Sequence, residues 1–283
     1  LHALVVVRHG VIVLEAYRFP FREDLLHDIA SCTKSVTATA LGALIQQGKL
    51  DGLDHPYVSF FKDREIPNLD ETKRSVTLKH LLTMSSGLKN LEKEDLWKMV
   101  FADDRLAFAL SLPSEVPPGE SFNYTSANSH ILSGVAQELS GQTTFELVQS
   151  QVFKPIGIAR ADWSAAPEGV TYGGGDLRLL PADLARIGLL YLHRGVWNGR
   201  RVLPEKFVEA AGSEHVDLPS DVPGVDYGYG LHWWTYGDGT FAAQGRGGQY
   251  LVVEPALDAV IVALSGAERK HGELFARMWL EHL

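Results

Sequence analysis

The hydrophobic pattern changes period twice along the chain, and that order restricts the architecture more than any single motif. Val5-Val6-Val7 and Val11-Ile12-Val13-Leu14 flank Arg8-His9-Gly10, so residues 3–17 read as a hairpin. Near the other end, Gly230 to Thr235, Thr240 to Ala243, Tyr250 to Glu254 and Ala259 to Leu264 read as strands. Short connectors at 236–239 and 255–258 join them in pairs. The middle is mostly helical. Strands from both ends most simply share one antiparallel sheet, with helices covering its faces. The expected fold class is therefore α+β: an antiparallel sheet flanked by helices, plus a mostly helical lobe. Residues 1–50 and 195–283 are expected to form one discontinuous α/β lobe and residues 51–194 the other. A cleft between two such lobes is a natural substrate site.

The helical signals have identifiable ends. Val36, Ala40, Leu41, Leu44 and Ile45 recur at helical spacing, and Gly48 stops the run. Thr77 to Met84 is a short helix closed by Ser85-Ser86-Gly87, and Leu96 to Leu112 is another, stopped before Pro113. Ser126 is placed as the cap of a helix through Leu139 that Gly141 ends. Further helices are expected over Thr144 to Val152, Leu180 to Leu192, Pro204 to Ala211 and 271–283, with a tight connector over Val196 to Val202.

At the start of the first long helix stands Ser31-Cys32-Thr33-Lys34. The i, i+3 spacing puts hydroxyl and amine one turn apart on one helix face. A serine hydroxyl is a weak nucleophile until a base takes its proton, and a desolvated amine is such a base. The helix start adds partial positive charge and backbone N–H groups near a developing oxyanion. The bland alternative is that Ser31 merely caps the helix. Ser-x-x-Lys also occurs at Ser59 and Ser86, but only Ser31 is followed by a long helical pattern. Cys32, the one cysteine, lies about 100° around the helix from Ser31, so the two cannot address one substrate. It reads as a small buried apolar residue.

Composition removes several function classes. The net charge is −9 with no basic block, which disfavours nucleic acid and anionic membranes as partners. No apolar run approaches the ~20 residues of a membrane span. The 11 histidines are scattered, without His-Glu-x-x-His, so no metal is expected. Gly-x-Ser-x-Gly is absent, which argues against an α/β-hydrolase, and Gly173-Gly174-Gly175-Asp176 lacks the spacing of a nucleotide fingerprint. The expected partner is a small-molecule substrate, with no cofactor. The chain opens on Leu1 within a strand pattern, so its natural start is expected upstream; compartment and oligomeric state stay open.

Two more segments carry chemistry. Pro117-Pro118-Gly119-Glu120-Ser121-Phe122-Asn123-Tyr124-Thr125-Ser126 sets a tyrosine just before a helix. A tyrosine serves as base if a cation lowers its pKa from about 10, and Lys34 is the candidate neighbour. The alternative is a loop anchor. Gln244-Gly245-Arg246-Gly247-Gly248-Gln249-Tyr250 lies where one strand passes to the next. Its glycines allow close ligand approach, and the Gln249 N–H is a candidate oxyanion donor opposite that of Ser31. The alternative is a plain glycine-rich hairpin. Trp233 and Trp234, as strand neighbours, face opposite sides, so at most one lines a pocket.

A Ser-x-x-Lys helix, a Tyr-x-Ser loop and a Lys-Thr-Gly-like strand, in this order, resemble the serine β-lactamase and penicillin-binding protein superfamily. The Tyr124 motif is similar to the class C-like branch. That branch includes β-lactamase-like esterases, D-aminopeptidases, D-alanyl-D-alanine carboxypeptidases and 6-aminohexanoate-dimer hydrolases. Val76 to Leu88, Pro118-Gly119-Glu120, Gly173-Gly174-Gly175 and Asp183 to Gly188 extend the likeness along the chain. The resemblance implies Ser31 as acylated nucleophile, Lys34 as its amine partner and Tyr124 as the proton-passing base. It places Ser126 beside them, the N–H groups of Ser31 and Gln249 in the oxyanion hole, and Arg246, Gly247 and Gly248 against the substrate.

The third element departs from the pattern: Arg246-Gly247-Gly248 stands where β-lactamases carry Lys-Thr-Gly. Arginine is a different donor from lysine, and Gly247 removes a hydroxyl. The expected activity is metal-free hydrolysis of small carboxylic esters through an acyl-enzyme. The alternatives are a D-aminopeptidase or carboxypeptidase, an amide-oligomer hydrolase, a weak β-lactamase, or a penicillin-binding sensor that acylates slowly and never turns over.

Overall fold

The computed structural model describes residues 1–91, 93–220 and 226–266. The helix expected over 271–283 lies outside the described residues. The strands are β1 (Ala3–Arg8), β2 (Val11–Tyr17), β3 (His27–Asp28), β4 (Ala161–Trp163), β5 (Leu177–Leu179), β6 (Val196–Trp197) and β7 (Arg200–Arg201). They continue with β8 (Val216–Leu218), β9 (Tyr227–Tyr229), β10 (Trp234–Tyr236), β11 (Phe241–Gly245), β12 (Gln249–Glu254) and β13 (Ala259–Leu264). The helices are α1 (Thr33–Gln46), α2 (Glu71–Arg74), α3 (Leu78–Leu82), α4 (Lys93–Val100), α5 (Arg105–Ser111), α6 (Ser126–Ser140), α7 (Thr144–Val148), α8 (Pro181–Leu192) and α9 (Glu205–Ala211).

Eight strands form one antiparallel sheet in the order β2-β1-β13-β12-β11-β10-β9-β8. Both ends of the sequence therefore meet in it, with Val5 opposite Val262. His9 and Gly10, both at positive φ (52° and 72°), make the tight turn from β1 to β2. A smaller sheet, β3-β5-β4, and the ribbon β6–β7 hold the remaining strands among the described residues. The ribbon replaces the connector expected over Val196 to Val202. Strands β3, β4, β5, β8 and β9 escape a periodicity reading because two or three residues carry no period.

Three expected elements differ. The strand placed over Gly230 to Thr235 begins only at Trp234. Gly230 N–H instead donates to Trp233 O (2.7 Å), and His232 is left-handed (φ 62°), which closes a tight loop. The helix placed over Leu96 to Leu112 is two helices, because Asp104 turns extended and its carboxylate accepts from Ala107 N–H (2.7 Å) as the cap of α5. Thr125, not Ser126, caps α6. Thr125 is extended and accepts from Ala127 N–H (3.3 Å), which leaves the Ser126 side chain uncommitted to the cap.

Helix α1 departs most from its pattern. Every residue from Thr33 to Leu44 is buried, so it has no solvent face. It packs against α6, with β11 near its start. Its polar positions are satisfied internally: Ser35 Oγ donates to His232 O (2.6 Å), Thr37 Oγ1 to Gly173 O (2.8 Å), and Thr39 pairs with the Tyr191 hydroxyl (2.8 Å). A helix that looks amphipathic because it carries hydroxyls is in fact central. Among the described residues no helix is long and apolar enough to cross a membrane.

Candidate active site

Ser31 sits in a 3-10 turn, Ala30–Cys32, directly before α1. The turn is entered from β3 through Ala30 at φ 46°, and Asp28 Oδ1 accepts from Ala30 N–H (2.8 Å). Ser31 is not a helix cap: the N-cap position of α1 is Cys32, without a side-chain bond. One turn on, Lys34 is 1% exposed, with Nζ 3.0 Å from Ser31 Oγ and 2.7 Å from Gly174 O. Burial pushes its pKa from 10.5 down to about 7. A neutral amine keeps one N–H on Gly174 O and offers its lone pair to the serine hydroxyl.

The acceptor for Lys34 is delivered by a glycine run whose role the sequence does not disclose. A Cβ on Gly173 would lie 2.2 Å from Ser129 O; one on Gly174 would lie 2.7 Å from Ser126 Cβ. Only glycine lets this segment run against α6 and present its carbonyls to α1.

Tyr124 reaches the same point from the loop before α6. Lys34 Nζ lies 5.1 Å from its ring centroid, and its phenol feels the Ser31 hydroxyl. The expectation that Lys34 lowers the tyrosine pKa is not met. Burial raises it, and the bond with Ser31 only partly opposes that. Desolvation penalises ammonium and phenolate alike, so the amine becomes the group poised near neutrality while the phenol stays protonated. Trp234 stacks on Tyr124 (5.5 Å, 23°) and on Tyr227 (5.2 Å, 10°), with Tyr229 edge-on (4.8 Å). Trp233 faces the other way, fully buried against Tyr191 and Phe241.

Arg246, Gly247 and Gly248 form the three-residue turn between β11 and β12 rather than a strand. Gly247 and Gly248 have φ of 88° and 83°, so a β-branched residue at 247 would be strained as well as 2.9 Å from Gln249 Nε2. The missing hydroxyl is thus a consequence of the turn. Arg246 is exposed but close enough to act electrostatically on Tyr172, whose phenol also feels the Ser126 hydroxyl. The Gln249 side chain is occupied: Nε2 donates to Ser265 O (2.6 Å), and Oε1 accepts from Ser265 N–H (3.1 Å). Any oxyanion role at this residue falls to its main chain, at the β11–β12 ladder end opposite Gly245.

Gly245 is what brings that ladder to the serine. A Cβ there would lie 2.6 Å from Ile29 O and 3.0 Å from Ser31 N. Both contacts are backbone and cannot swing aside. Gly245→Ala should therefore cost about 1–3 kcal/mol of stability and push β11 off the Ser31 turn. Thermal melts and kcat/KM check this; unchanged values in both would remove the close approach as a requirement.

The competing candidates are engaged elsewhere. Ser86 is buried and donates to Asn128 Oδ1 (3.0 Å), and Ser59 Oγ donates to Pro56 O (2.7 Å). Cys32 is buried with its thiol pKa raised by desolvation. No group of three or more His, Cys, Asp or Glu able to hold a metal occurs among the described residues. His232 went unmarked in the sequence. Its Nδ1–H donates to Leu82 O (2.8 Å), Nε2 pairs with Ser129 Oγ (2.9 Å), and burial pushes its pKa down to about 3, with Lys34 adding to the shift. It is a neutral strut behind the amine.

An antiparallel sheet carrying helices on this plan, with a serine and a buried amine at the head of its central helix, defines a β-lactamase-fold hydrolase. The beta-lactamase family profile matches residues 2–281, and the chain belongs to that family. It is 27% identical over 93% of its length to the 6-aminohexanoate-dimer hydrolase of Paenarthrobacter ureafaciens, covering 72% of that protein. It is 30% identical over 58% of its length to Esterase EstB of Burkholderia gladioli, covering 47% of that protein. A provisionally assigned 6-aminohexanoate-dimer hydrolase from Bacillus anthracis superposes with a TM-score of 0.84. That alignment has 23% identity and covers 99% of this chain and 78% of that one, so it speaks for the fold alone.

Proposed function

We propose that the protein is a serine hydrolase that cleaves small carboxylic esters through an acyl-enzyme on Ser31. The observation that carries this is Lys34 Nζ, buried and 3.0 Å from Ser31 Oγ. Neutral Lys34 takes the hydroxyl proton as Oγ bonds to the substrate carbonyl carbon. The oxyanion is held by the N–H groups of Ser31 and Gln249. As the tetrahedral centre collapses, Tyr124 gives its phenolic proton to the leaving oxygen and recovers one from the Lys34 ammonium. Water then attacks the acyl carbon by the same route in reverse, releasing the acid and restoring Ser31. Ser126, Arg246, Gly247 and Gly248 border the substrate. On this reading residues 1–50 and 195–283 supply nucleophile and oxyanion donors, and residues 51–194 supply Tyr124, Ser126 and Gly174.

The test is steady-state hydrolysis of p-nitrophenyl butyrate beside labelled penicillin. Many turnovers per protein support the reading. A single stoichiometric burst would instead make the chain a slowly acylated sensor. A site without a hydroxyl at 247 should hold a β-lactam carboxylate less well, by ~1–2 kcal/mol, about tenfold. The expected ranking is therefore kcat/KM for p-nitrophenyl butyrate above that for nitrocefin, and the reverse ranking would move the assignment to β-lactamase. The near-whole-length likeness to an amide-dimer hydrolase favours a second reading, in which a small linear amide takes the place of the ester.

A further inference from the structure

Tyr172 takes no part in the steps above, yet it is held on every side. It is 7% exposed. Its N–H donates to Ser164 O (2.9 Å) and its carbonyl accepts from Trp163 Nε1 (3.0 Å). The Arg105 guanidinium lies 5.3 Å from the ring centroid, and the His130 ring packs at 5.7 Å. His130 is fixed in turn by Glu168, whose Oε1 is 3.0 Å from Nε2 and also accepts from Leu106 N–H (3.1 Å). The phenol end points at the site: a Cβ built on Gly174 lies 3.1 Å from Tyr172 Cζ and 3.0 Å from Ser126 Oγ. Tyr172 Cζ and Ser126 Oγ thus lie against the same glycine, and the Ser126 hydroxyl opposes the burial that raises the phenol's pKa. Two residues on, Gly174 O holds Lys34.

We infer that Tyr172 is a positioning residue that orients the Ser126 hydroxyl toward the leaving group, so that one rigid segment aligns both Lys34 and Ser126. The inference rests on the acyl-enzyme reading above. A serine hydroxyl turns freely among three rotamers, and a fixed phenol selects one. That selection matters where the leaving oxygen needs help to depart. An alkoxide needs a hydrogen-bond donor and a proton as the C–O bond breaks; p-nitrophenolate leaves with neither.

The test uses two esters with one acyl group, ethyl butyrate and p-nitrophenyl butyrate, and reads kcat/KM for acylation. Tyr172→Phe keeps the ring and its packing and loses only the hydroxyl. It should lower kcat/KM on ethyl butyrate about tenfold while changing p-nitrophenyl butyrate by less than about threefold. Ser126→Ala should give the same leaving-group-selective pattern, and adding Tyr172→Phe to it should cause no further loss. Equal losses on both esters, a full Tyr172→Phe loss in the Ser126→Ala background, or no loss at all would overturn the inference. A protein that turns over neither ester, or is not acylated at Ser31, would overturn the underlying reading and the inference with it. Thermal melts show whether each variant is folded.

Discussion

Ser31→Ala should lower kcat/KM on p-nitrophenyl butyrate by at least ~10⁴-fold and abolish the mass increment left by a fluorophosphonate. No other described hydroxyl in the site has a neutral amine as partner. The variant should fold normally, because Ser31 supplies no cap to α1 and its hydroxyl bonds chiefly within the site. Ser59→Ala and Ser86→Ala should label like the unmodified protein, although Ser86→Ala leaves Asn128 short of a donor and should melt slightly lower. Labelling that survives Ser31→Ala, or activity that disappears with Cys32→Ala, would assign the nucleophile elsewhere.

Lys34→Met should cost ~10²–10⁴-fold in kcat, the range of a lost general base, while making the protein more stable. The two effects share a cause. Folding buries an amine whose pKa falls from 10.5 to about 7. Between those values the unfolded chain holds a proton that the folded chain does not, so wild-type stability rises with pH across that window. Below about pH 7 both forms are protonated and the full penalty of the buried charge is present. Lys34→Met has no charge to bury, so its melting temperature should exceed wild type most at pH 6, and the gap should narrow toward pH 10. Activity follows the same group with the opposite consequence: kcat/KM of the wild type should fall as pH drops through about 7, a limb absent from the residual activity of Lys34→Met. Tyr124→Phe should also lose at least ~10²-fold, and the double variant should lose far less than the product, since both serve one proton path. A flat pH profile in the wild type, or strictly multiplicative losses, would separate Lys34 from that path.

Much of the site is legible before folding because its first links are local. Ser31 and Lys34 are one helical turn apart, so their meeting follows from helix geometry alone. The two ends of the sheet announce themselves by β-branched runs, and Gly141 marks the end of α6 by its left-handed conformation (φ 71°). Trp233 and Trp234 do face opposite ways, but the tight loop closed on Trp233, not strand alternation, sets Trp233, since β10 begins only at Trp234. Where the local reading fails, a distant partner has intervened. The hydroxyls of α1 look like a wetted face, but carbonyls of Gly173 and His232 bury and satisfy them. Ser126 looks like a cap, but Thr125 adopts the extended backbone that a cap needs.

The sequence by itself determined the order of the longer elements, the Ser31–Lys34 spacing, the tyrosine ahead of α6 and the absence of a hydroxyl at 247. These follow from residue identity and short-range backbone geometry. Only the tertiary structure decided which group is brought near neutrality. Lys34 is moved there, and Tyr124 is not, because water is excluded from both and the acceptor for the amine comes from Gly174, 140 positions along the chain. The approach of Gly245 to Ser31 and the clamp on Tyr172 have the same origin. Desolvation and backbone contacts made across the fold set them, and hydrophobic periodicity carries no record of either.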